Sequence, residues 1–159
     1  MLILSLVLAC SDKTTDTAED TATEAEVYTS GGLALRFMID EDYAAIMEEP
    51  PNGIFYGSFW HEEDVDSLGP IDGAQSILTM QVSMNLPTDG SSTEVLWTQE
   101  NMEIETVYFL GFLDSDGNAD PANVNPDSKD PVTFPSDNDF DVIGGQVTEV
   151  TVSLGMLYP

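Results

Sequence analysis

Asp114, Asp116, Asn118 and Asp120 place an oxygen-bearing side chain at every second position at the head of segment 113–132, LDSDGNADPANVNPDSKDPV. Calcium takes six to eight oxygen ligands at flexible angles, and donors at positions 1, 3, 5 and 7 of a tight loop can wrap one ion. Gly117 permits the sharp turn that such a loop needs. The candidates for the remaining ligands are Asp127 and Asp130, returned by the Pro-rich stretch. Neither His nor Cys lies in the segment, which disfavours zinc and copper. The same residue types also make Asx turns that need no ion. Five Asp and three Asn between positions 114 and 130, in a chain of net charge −27, set the expectation at a structural calcium ion.

The run D-x-D-G-N-x-D resembles the first half of EF-hand and dockerin calcium loops. It departs from them at Ala119, where they prefer Gly, and at Asn125, where they carry Glu.

Other chemistry has little to work with. Cys10 is the single thiol and His61 the single imidazole. A nucleophilic serine would need that His as its base, and no G-x-S-x-G elbow is present. His61 precedes Glu62 and Glu63, which reads as a charge-supported His at a strand end. Carboxylate pairs suited to glycoside hydrolysis are so abundant that none stands out. The expectation is a protein that is not an enzyme. A binding face is easier to find. Tyr56 and Trp60 share one face of a candidate strand, Phe55 and Phe59 share the other, and Trp97 lies on a different strand. One face belongs to a core; the other, with Trp97, is a candidate platform for a glycan or protein partner.

The 159 residues hold 30 Asp and Glu against 3 Lys and Arg, namely Arg36, Lys13 and Lys129. Binding to nucleic acid requires clustered Lys and Arg to displace counterions, so that class is excluded. Adhesion to anionic lipid through protein charge is disfavoured for the same reason.

The N-terminal segment 1–9, MLILSLVLA, is apolar but far shorter than a membrane-spanning helix. It fits the apolar part of a signal peptide. Val7-Leu8-Ala9-Cys10 resembles the lipobox of bacterial lipoproteins. That resemblance implies lipidation of Cys10 and residence in a bacterial envelope, with Ser11 suiting the outer membrane. No Lys or Arg precedes the apolar run, a departure that an upstream start would account for. The alternative is an apolar strand with a buried thiol. Residues 10–26 continue with Thr, Ala, Asp and Glu and carry no aromatic side chain, the composition of a solvated tether.

From residue 27 to 159 the pattern becomes short strands set apart by Gly, Pro, Asn and Asp. Leu78, Met80, Val82, Met84 and Leu86 alternate with polar residues, as do Val150, Val152 and Leu154, and Leu33, Leu35, Phe37 and Ile39. Segment 104–113 is apolar on both faces and predicts a central strand. Weaker strands are predicted over 54–61, 93–98 and 139–143, with Gly144-Gly145 closing a hairpin to the C-terminal strand. Segment 41–49 predicts two helical turns, stopped by Pro50-Pro51. These features predict an all-β fold, an antiparallel two-sheet β-sandwich of about seven strands. The run VYFLGFLD, then DGN, then DP, then a Thr/Val-alternating final strand resembles the transthyretin-like or carboxypeptidase-regulatory-like sandwich. The chain lacks the multiple His residues and the C-terminal Tyr-Arg-Gly-Ser of the hydrolytic branch of that group.

The combined expectation is a non-enzymatic, lipid-anchored envelope protein with a calcium-stabilised sandwich and a structural or protein-binding role. A surface carbohydrate-binding module is the alternative.

Overall fold

The computed structural model of the protein describes residues 26–47, 49–120, 122–128 and 130–157. The predicted signal segment, Cys10 and all but the last residue of the tether lie outside the described residues. The fold is all-β. Its strands are β1 (Ser30–Ile39), β2 (Asn52–His61), β3 (Leu78–Asn85), β4 (Trp97–Glu103), β5 (Thr106–Asp114), β6 (Pro131–Thr133), β7 (Asp139–Asp141) and β8 (Val147–Leu157). They form one sheet of order β3-β2-β5-β6-β8-β1-β4, with β7 added alongside β5. The sheet is nearly closed into a barrel.

Alternation decides which side chains enter the core. Leu33, Leu35, Phe37 and Ile39 of β1, Phe55 and Phe59 of β2, and Val107, Phe109 and Leu113 of β5 are buried. The sheet curls far enough for its two halves to touch through these residues. Phe37 lies 5.0 Å from Phe55 and 6.3 Å from Phe109 between ring centroids. Trp97 of β4 stacks on Phe59 at 5.6 Å. Each fully buried Phe contributes about 1.5–3 kcal/mol of transfer free energy, so this cluster is the main cohesive element. Room for it is made where Gly57 faces Gly111 across β2 and β5. A Cβ on Gly57 would lie 2.5 Å from the rings of both Phe55 and Phe109.

The central position predicted for segment 104–113 holds: β5 pairs with β2, β6 and β7. Other expectations change. Eight strands are present rather than about seven, and pairing is continuous, because the short β6 links the β5 half of the sheet to the β8 half. The β1–β8 pairing is parallel, against an otherwise antiparallel set. The strand predicted over 93–98 begins only at Trp97, although Thr93 and Leu96 each donate one backbone bond to β1. Its register with β1 shifts at Gly31/Gly32, and Asn101, at φ 59, is the extra residue of that bulge. Gly144-Gly145 does not close a hairpin: β7 pairs with β5 and β8 with β1 and β6. Gly145, at φ 77, instead donates to Ser30 and lies under the Tyr28 ring. The predicted two-turn helix shortens to α1 (Glu41–Ala44), capped by Asp40 and pinned by buried Tyr43.

Two buried side chains complete strand pairing where backbone cannot. The Thr133 hydroxyl accepts from Gly111 N at 2.7 Å and donates to Gly111 O at 3.2 Å. Asn138, fully buried, accepts from Ser153 N at 2.8 Å and donates to Ser153 O and Phe134 O, each at 3.0 Å. Its carboxamide thus plays the part of a strand residue beside β8, where the β6–β8 register shifts.

Candidate functional site

The acidic segment is the connection between the antiparallel neighbours β5 and β6. Phe112 pairs with Val132, and carrying that register two residues further sets Asp114 opposite Asp130 at the base of the loop. Both are almost fully buried, at 4% and 2% exposure. Like charges directly opposite on an antiparallel pair oppose pairing. Backbone donors offset part of the cost. Asp114 Oδ1 accepts from Gly117 N at 2.8 Å and Asn118 N at 3.1 Å, and its Oδ2 accepts from Ala119 N at 3.3 Å. Asp130 accepts from Ser115 N at 3.2 Å and from Asp127 N at 3.0 Å. Gly117, at φ 76, gives the turn that folds these amides back onto Asp114.

Asp116 and Asp127 close the upper part of the group. The Asn118 amide nitrogen donates to Asp116 Oδ2 at 2.9 Å and to Asp127 Oδ2 at 2.5 Å. Its N–H groups supply partial positive charge between two carboxylates; turned about χ2, the amide would present its oxygen there instead. Asp120 stands apart: it accepts from Ala122 N at 2.9 Å and caps its own turn. Among the described residues no three carboxylate, His or Cys side chains are already converged on one point suited to a metal. What the loop brings together is Asp114, Asp116, Asn118, Asp127 and Asp130. Neither ion pair found among the described residues, Arg36–Glu149 or His61–Glu105, falls within it.

Burial pushes the Asp130 carboxyl above its ordinary pKa, and the nearby Asp127 and Asp114 charges push the same way, against the two backbone donors. A carboxyl whose pKa is higher folded than unfolded contributes stability below its unfolded pKa, and that contribution is lost as pH rises through the folded value. In EDTA, the Asp130 carboxyl carbon should therefore titrate above the usual Asp range when followed by NMR. A midpoint at or below that range would disprove the arrangement.

His61 ends β2 and holds Glu105 at 2.8 Å; that hydrogen bond is the main reason its pKa is raised. The pair is half exposed and sits as a strand-end ion pair.

The aromatic residues separate by face. Phe55 and Phe59 are in the core, while Tyr56 and Trp60 lie on the outer face of β2. Tyr56 stacks on Phe112 of β5 with ring centroids 5.4 Å apart and planes at 23°. Trp97 does not join them, because it packs inward against Phe59. Tyr56, Trp60, Leu110 and Phe112 floor an open cleft of about 640 Å³, walled by Val132 and Phe134. Leu68 to Pro70 overhang one side, and Val124 and Pro126 of the acidic loop border another. The sequence signalled Tyr56 and Trp60, but Leu110 and Phe112 looked like ordinary residues of a central strand, and Phe134 was not singled out.

Comparison with protein-family models, with curated proteins and with solved structures finds no match.

Proposed function

We propose that this is a non-enzymatic bacterial envelope protein, anchored by a lipid on Cys10 and displaying a calcium-stabilised β domain in a structural or protein-binding role. The observation that carries the calcium reading is the burial of both Asp114 and Asp130 at one loop base, near enough for the Asp114 charge to push the Asp130 pKa up. A divalent cation would neutralise them at the place where burial makes their repulsion largest. Asp116, Asp127 and the Asn118 oxygen are the further donors within reach of a small closure of the loop, and carbonyls or water would fill the remaining positions. The two touching halves of the sheet would serve as the layers of a transthyretin-like sandwich. The acidic tether would hold that domain away from the membrane, with the outer membrane as the proposed location.

Thermal unfolding in EDTA and then in millimolar calcium tests the ion. At a free concentration about a hundred times its dissociation constant, an ion that binds only the folded state adds about 2.7 kcal/mol. For a domain of this size that corresponds to roughly 8 °C or more in Tm. Magnesium, which demands tighter octahedral geometry, should not reproduce the rise. Asp116→Ala with Asp127→Ala should abolish it while leaving the Tm in EDTA nearly unchanged, since neither side chain is buried at the loop base. An unchanged Tm in calcium would reduce the loop to a hydrogen-bonded turn.

The anchor has its own test. Cells fed labelled palmitate should label this protein, and Cys10→Ser should remove the label and release the protein from the membrane fraction. A wild-type protein that stays unlabelled would end the lipoprotein reading and leave the calcium reading standing.

A further inference from the structure

We propose that the outer-face cleft is a binding site for an uncharged saccharide. The first reason is charge. The chain carries 30 acidic residues, yet among the described residues none that lines this cleft is acidic or basic. A lining so unlike the rest of the composition suits an occupant without charge. The surrounding −27 field would repel anionic sugars and anionic lipid head groups alike.

The second reason is how polarity is laid out across the strands. Gln81, Tyr56 and Phe112 form one row over β3, β2 and β5, and Thr79, Ser58 and Leu110 form the next. The β3 side is therefore a rim of amide and hydroxyl groups, while β2 and β5 provide an aromatic and aliphatic floor. Among the described residues the side chains of Ser58, Thr79 and Gln81 make no hydrogen bond within the protein, so their donors and acceptors are free. A pyranose ring has the matching division, with apolar C–H faces that stack on aromatic rings and hydroxyls along its edge. An acyl chain would use the floor and leave the rim unmatched. The volume of about 640 Å³ lies within the range of small-ligand sites.

This inference does not depend on the ion, although Val124 and Pro126 belong to the acidic loop. Titrations are accordingly run both in EDTA and in calcium. Trp97→Phe leaves Trp60 as the single indole and makes its fluorescence a report on the cleft. The full chain, with and without that change, is titrated with cellotetraose, maltotetraose, xylotetraose and chitotetraose to millimolar concentration, by fluorescence and by calorimetry. Saturable binding of at least one is expected in either medium. Tyr56→Ala and Gln81→Ala should each weaken it, the former roughly tenfold for one lost stacking partner, with unfolding temperatures close to the parent. No saturation by any of the four with the chain folded would overturn the proposal. So would binding of decaproline or laurate in their place, or sugar binding untouched by both substitutions.

Discussion

Asp114→Ala is expected to lower stability by about 2–3 kcal/mol even in EDTA, with no ion to lose. The carboxylate gathers three backbone N–H groups, from Gly117, Asn118 and Ala119, and among the described residues Asp116, at Asn118, is the one other acceptor bonded to them. Hydrogen bonds to a charged acceptor are the stronger class, and a buried acceptor is worth more than one facing water. Relief of the repulsion with Asp130 offsets part of the loss, which is why the figure is not larger. In calcium the same change should cost the ion's contribution as well, so the Tm difference between mutant and parent widens. Asp114→Asn should fall between them, because its amide nitrogen would face the Ala119 donor. Chemical denaturation in both media measures all three. Equal stability of Asp114→Ala and parent in EDTA would show that the amides find other partners.

Asn138→Ala should cost about 3 kcal/mol or more. It removes an acceptor from Ser153 N and donors from Ser153 O and Phe134 O, all beneath a side chain with no exposure. Buried polar groups left unpaired each cost about 1–3 kcal/mol, and the volume left behind adds a cavity. The near-isosteric Asn138→Asp separates shape from bonding. Its carboxylate can accept from Ser153 N but cannot donate, and it would face two carbonyl oxygens. Protonation restores one donor, so the pKa of that carboxyl would be higher folded than unfolded. Its deficit should therefore shrink as pH falls through the folded value. A deficit that does not change with pH would mean that packing, rather than hydrogen bonding, fixes position 138.

Residue pattern and pairing were unequally legible in the sequence. The alternations at Leu78 to Leu86, Leu33 to Ile39 and Val150 to Leu154 placed strands correctly, because period-two burial is a local signal. The two-faced apolar run around Phe109 marked the central strand for the same reason. Which strands adjoin is a long-range property: nothing local in Val147 to Leu154 distinguishes a parallel partner in β1 from a hairpin partner in β7. Asn138 was not singled out, since two of its three bonds reach fifteen residues further on to Ser153. In the acidic loop the spacing of Asp114, Asp116 and Asn118 was informative, and Asp127 and Asp130 were reached by composition alone. Asp120 looked equivalent to them and is not, because it spends its side chain on the Ala122 amide. Trp97 looked equivalent to Tyr56 and Trp60 until the stacking on Phe59 turned it inward.

The parallel alignment of β1 with β8 has a mechanical consequence. Both strands start at the same pole of the molecule, so the chain enters β1 at Ser30 on one side and leaves β8 at Leu157 on the other. A pull applied between those points slides the two strands lengthwise past each other. The evenly spaced bonds of the aligned stretch from Gly32 and Val147 to Ile39 and Leu154 are then loaded together rather than peeled one by one. Rupture under such shear needs many bonds to fail at once, and resistance to force is set by the rate of that event rather than by equilibrium stability. Were the proposed tether and a partner to pull at these two ends, the domain would meet the load as shear along β1 and β8.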